Sequence, residues 1–150
     1  MRPLLAACLL ALAIPAATET AAQPTAQAAS PSGAVEIRFS GARRGGPVLV
    51  QLSTEQEFMR ASRFQTSAEV QPDGTARVRF TNVPPGRYAV TAFQDVNRDG
   101  QINFGPPWGG PVEPWGYSRG ARGVMGPPNF SAAAVTIGPR GAVIDIALEL

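Results

Sequence analysis

"PPGRYAVTAFQDVNRDG", Pro84 to Gly100, is the stretch that decides the fold. It opens as a turn: Pro84 fixes the entry of the chain, and Gly86 permits a positive φ. Tyr88, Val90 and Ala92 then alternate with Ala89, Thr91 and Phe93. A period of two is the signature of a strand with two distinct faces. At Asp95 the alternation stops, and Asp, Asn and Gly take over.

The same period recurs on both sides. Upstream lie Ala34–Phe39, Pro47–Leu52, Thr66–Val70 and Thr75–Phe80, the last two joined by Gln-Pro-Asp-Gly. An Asp-Gly between alternating runs predicts a hairpin. Downstream lie Ala133–Ile137 and Ala142–Leu150, joined by Gly-Pro-Arg-Gly. Seven strands at short spacing predict an all-β fold, an antiparallel seven-stranded β-sandwich. Ser53–Ser62 is the one candidate helix, with Ser53 or Thr54 as its cap. Gly105–Ala132, rich in Gly, Pro and aromatic residues, is a long loop of the kind that carries function.

The chain begins differently. One Arg, then an apolar run from Leu4 to Ile14, then small residues read as a secretory signal peptide. It is placed at residues 1–22, with cleavage anywhere from 17 to 28, and residues 23–33 read as a disordered linker. The folded domain is expected over 34–150, and no later run is long enough to cross a membrane. Cys8 lies inside the apolar run rather than after it, which disfavours a lipid anchor. Without it the exported chain has no cysteine and needs an ordinary core.

All 13 basic residues are Arg, and His is absent. That removes imidazole bases and ligands and any Schiff-base lysine. The net charge of +2 is small and the Arg are scattered, so no nucleic-acid partner is expected. Ser118 lacks a base to activate it, and the domain is read as non-enzymatic. The alternative is a hydrolytic module acting on a carbohydrate or ester, with Asp99 and Glu113 as paired acids.

Asp95, Asn97 and Asp99 occupy alternate positions of a D-x-[DN]-x-[DN]-G calcium loop, with Gly100 at the bend. Gln101 would offer its carbonyl, and Glu113 could fold back to complete the oxygen set. The closing Glu of such loops is replaced by Pro106. A weak calcium site and a metal-free Asx turn both remain open. Trp108, Trp115 and Tyr117 are the candidate ligand-binding residues, for an envelope protein or a glycan; as a buried lid they would instead close one end of the domain. Glu113 could also pair with Arg119 or Arg122. The domain is taken as a monomer.

The Pro-Pro-Gly turn followed by Tyr and an alternating strand resembles small extracellular sandwiches of the transthyretin-like class. Three motifs in order make a closer resemblance: Pro84–Gly100, then "PVEPWGYS" (Pro111–Ser118), then "GPPNFSAA" (Gly126–Ala133). Together they are similar to the bacterial family called domain of unknown function 2141, over Ala34 to Leu150. The resemblance implies an exported, periplasmic or secreted β-sandwich and implies no activity. The family tends to carry an acid where Asn103 stands, and the "PPWGG" run here is longer.

Overall fold

A computed structural model describes residues 32–107 and 109–150. The signal peptide, Cys8, most of the linker and Trp108 lie outside the described residues. Gly33, read above as linker, already opens the first strand.

The described residues form two sheets and one short α-helix. The strands are β1 (Gly33–Ser40), β2 (Pro47–Ser53), β3 (Phe64–Glu69), β4 (Ala76–Val83), β5 (Gly86–Gln94), β6 (Trp115–Tyr117), β7 (Val135–Ile137) and β8 (Gly141–Ala147). The helix α1 is Phe130–Ala133. One sheet has the order β4-β1-β8 and the other β3-β2-β5-β6, with β7 also paired to β5. Among the described residues there are thus eight strands rather than seven; β6 is the addition. Its three residues are too few, and too rich in Gly and aromatics, to show a period.

Alternation explains the core. Val35, Ile37 and Phe39 of β1, Val48, Val50 and Leu52 of β2, and Tyr88, Val90 and Ala92 of β5 are all buried in one cluster, with Val78, Phe80, Ile144 and Ile146. Both sheets therefore turn an apolar face to the same interior. At ~25 cal/mol per Å² of apolar surface, this shared burial is the main stabilising term.

Four expectations need correction. The arrangement is not wholly antiparallel: β1 and β8 pair in parallel, Ile37 opposite Ile144. The Gly-Pro-Arg-Gly turn carries the chain from one sheet to the other instead of folding it back. Gly141 is essential there: its φ is +85°, and a Cβ would collide with the Ala34 carbonyl oxygen. Second, the Asp-Gly segment makes its turn (Gln71 N–H donates to Thr75 O at 2.7 Å) but not a hairpin. β3 pairs with β2, and β4 with β1. Each strand gains a full ladder in its own sheet, and Phe64 and Phe80 still meet across the corner at 6.0 Å. Third, Ser53–Ser62 is not a helix. Thr54 N–H and Oγ1–H both donate to Glu57 Oε2, as in a capping box. Propagation then stops at Met59, whose φ is +60°. Fourth, Gly86 stays out of the left-handed region; the nearest left-handed residue, Asn82, lies inside β4 where its register with β1 shifts.

Beneath the long loop lies a second, smaller core on the outer face of β5. Ala89, Tyr117, Phe130 and Ala133 are buried there, with Phe58 and Trp115 packed against them. The loop thus lays apolar side chains on a sheet face that period-two reasoning would leave to solvent.

Candidate functional site

Two structures meet at the Gln94 end of β5, an acidic loop and an apolar groove. Gln94 falls on the inward face, in step with Tyr88, Val90 and Ala92, yet it is polar and fully buried. It holds the neighbouring turn: Arg43 N–H donates to its Oε1 at 2.7 Å, and its Nε2–H group donates to the carbonyls of Arg43 and Gly45. A polar residue at an inward strand position is the only sequence signal of this brace, and alternation read for apolar residues passes over it. Gly46 seals the contact, since a Cβ there would collide with the Asp95 carbonyl oxygen.

The acidic loop is closed by its own backbone. Asp95 is 3% exposed; its Oδ1 accepts from Asp99 N–H at 3.0 Å and its Oδ2 from Gly100 N–H at 2.8 Å. Glu113 is 4% exposed and does fold back. Its Oε1 accepts from Val96 N–H at 2.8 Å and its Oε2 from Asn103 N–H at 3.0 Å. Asp99, which is exposed, accepts from Gln101 N–H through Oδ1, and from the Asn97 and Asn103 amide groups through Oδ2. These donors, the Asn103 amide first, hold its carboxyl below the ordinary 3.8.

Asp95, Asn97, Asp99 and Glu113 are therefore brought together, with Gln101 contributing its N–H rather than its carbonyl. Both carboxylate oxygens of each of the three acids accept hydrogen bonds from the loop. Two Asn amide groups point N–H at Asp99, where a cation would need oxygen. Among the described residues, no three His, Cys, Asp or Glu side chains gather as a metal-holding group. As arranged, the Asn97 and Asn103 side-chain oxygens are also turned to donors of the loop, the Asp99 N–H and the Asn97 amide group. Glu113 pairs with neither Arg119 nor Arg122: Arg119 reaches the Ala134 carbonyl, and Arg122 bonds Glu149.

Beside the loop, β5 and β6 floor a groove of about 750 Å³. Phe93 and Trp115 lie opposite each other in the ladder, as do Thr91 and Tyr117. Both aromatic residues of β6 face outward because Gly116 faces the core, where a Cβ would lie 2.7 Å from the Ala147 carbonyl oxygen. Tyr117 is buried against Phe58, and Trp115 stands half-buried and edge-on to it at 5.7 Å. Burial raises the Tyr117 hydroxyl above its usual range. One face of Trp115 is covered by the Arg122 guanidinium, 4.5 Å from the ring centre. The lid reading thus suits Tyr117, while Trp115 also lines the opening.

Met59, Ile102, Phe104 and Met125 supply the remaining large apolar walls of the groove. No charged residue lines it among the described residues. Phe104 is 62% exposed. No local pattern marks Phe104, Met59 and Met125 as neighbours, because three separate loops deliver them. Ser118, next to the groove floor, is fully buried. Its hydroxyl accepts from Val90 N–H at 2.9 Å and donates to the Ala133 carbonyl, bridging β5 where its partner changes from β6 to β7.

No helix among the described residues is long and apolar enough to cross a membrane. A family model described as "Uncharacterized protein conserved in bacteria (DUF2141)" matches residues 36–145. Comparison with curated proteins and with solved structures found no match.

Proposed function

The chain belongs to the DUF2141 family, and from that premise we propose an exported, non-catalytic binding domain that takes an uncharged, apolar segment of an envelope protein. The observation that carries this reading is the groove over β5 and β6. It is open, lined by Phe93, Phe104, Trp115 and two methionines, and free of charge among the described residues. Its volume is in the range of specific pockets, about 300–1,000 Å³. Methionine is unbranched and adapts to irregular apolar partners, which suits a peptide. A glycan is the weaker candidate. It needs a free ring face with hydrogen-bonding groups beside it, and Arg122 occupies one face of Trp115.

Two sheets around one core support a β-sandwich of the transthyretin-like class. The Arg2–Ala17 opening supports export to the periplasm or medium. The acidic loop is read as a cation-independent brace that sets the groove wall, from Ile102 to Phe104. Against the hydrolase alternative, Asp99 is held in its ionised form and Glu113 gives both oxygens to backbone amides. A general acid needs the opposite of the first, and Glu113, 4% exposed, is turned into the loop rather than toward a substrate.

The test is a panel of uncharged, Leu- and Phe-rich ten-residue peptides set against chitin and cellulose oligosaccharides, followed by tryptophan fluorescence. Peptides should bind, and Phe104→Ser should weaken them about tenfold with the fold intact. Saturable binding of an oligosaccharide with none of the peptides would overturn the assignment.

A further inference from the structure

Met59 and Met125 are the two sulfur-bearing side chains among the described residues, and both line this one groove. They come from unrelated loops far apart in the chain. Both adopt left-handed backbone, at φ +60° and +59°. That region is uncommon for residues other than Gly and Asn. Met59 is 50% exposed and its sulfur receives the Tyr117 hydroxyl at 3.7 Å, whereas Met125 is fully exposed. No cysteine competes for an oxidant among the described residues.

We infer that Met59 and Met125 form an oxidation-sensitive pair, and that their conversion to sulfoxide by a hydroperoxide closes the groove to apolar ligands. The binding half of this inference rests on the apolar-groove reading above. In the step, a sulfur lone pair attacks one peroxide oxygen. The O–O bond breaks, an S–O bond forms, and the peroxide leaves reduced, as water in the case of hydrogen peroxide. The sulfur is oxidised by two electrons, and no net proton is taken up or released. An apolar thioether becomes a polar, hydrogen-bonding sulfoxide. At Met59 the new oxygen would be a stronger acceptor for the Tyr117 hydroxyl than the sulfur it replaces, turning the polar group into the groove. Exposure orders the two sites: Met125 reacts first, at about the rate of free methionine, and Met59 more slowly.

The full exported chain can be titrated with hydrogen peroxide, with sulfoxide at each residue read by peptide mass spectrometry. Uptake of the uncharged dye N-phenyl-1-naphthylamine reports the groove. The reduced protein should bind the dye, and full sulfoxidation should weaken it about fivefold or more. Methionine sulfoxide reductases should restore it. The double variant Met59→Leu/Met125→Leu keeps an apolar side chain of similar volume at both positions, and its dye affinity, measured against its own untreated sample, should not respond to peroxide. Unchanged dye affinity after complete oxidation of both residues would overturn the inference while leaving the groove reading intact. So would an equal loss in the double variant. A reduced protein that takes up no dye would remove both.

Discussion

The Asp95–Asn103 loop and the groove beside it are attached to the same strand, and they treat their side chains in opposite ways. In the loop every carboxylate oxygen accepts from a donor of the same loop or its flanks, so the acids are held by their own turn. In the groove Phe104, Met59 and Met125 leave large apolar surfaces in water. The difference teaches that acidic residues in a row are weak grounds for a site, because backbone N–H groups of a tight turn compete for them. Exposed apolar rings and thioethers have no such internal competitor, and a partner is what would cover them.

Asp95→Ala would do most to break this contrast. It strips acceptors from Asp99 N–H and Gly100 N–H in place of a buried carboxylate, and should cost ~2–4 kcal/mol in urea unfolding. A loss below about 0.5 kcal/mol would show that the loop does not depend on its carboxylates. Glu113→Gln should follow, at ~1–3 kcal/mol, since one of its two backbone donors then faces an amide N–H. Hydrogen exchange at Val96 and Asn103 would locate that loss. Acid titration gives a smaller effect. The Asp99 carboxyl is held below 3.8, so its stabilisation is complete above about pH 4 and is lost as pH falls through the lower folded value. Thermal melts from about pH 5 down to about pH 2 should show this limb flattened in Asp99→Asn. Calcium should do least: at millimolar concentration the midpoint should move by less than about 1 °C. A rise of several degrees that disappears in Asp95→Asn would make the loop a cation site after all.

The strands that build the inner core are legible because burial on one face imposes a period of two. Tyr88, Val90 and Ala92 fall on that face by counting alone. The return of Glu113 to the loop is also within reach, as it is the only acid between Asp99 and Asp145. The failures share one cause. Turn chemistry is local, so the turn at Asp73 and Gly74 forms as expected, but whether its flanking strands pair is a choice between sheets. The capping box of Thr54 and Glu57 is equally local, and it forms without a helix to follow.

The sequence by itself determined which residues face the interior and where the chain turns, because periodicity and turn residues act within a few positions. It also determined family membership, through motifs fixed in order. Tertiary structure alone decided that β8 runs parallel to β1, that β3 and β4 part into different sheets, and that Met59, Phe104 and Met125 share one groove. Those outcomes depend on contacts between segments far apart in the chain, and no local pattern encodes which distant surface a loop tip will meet.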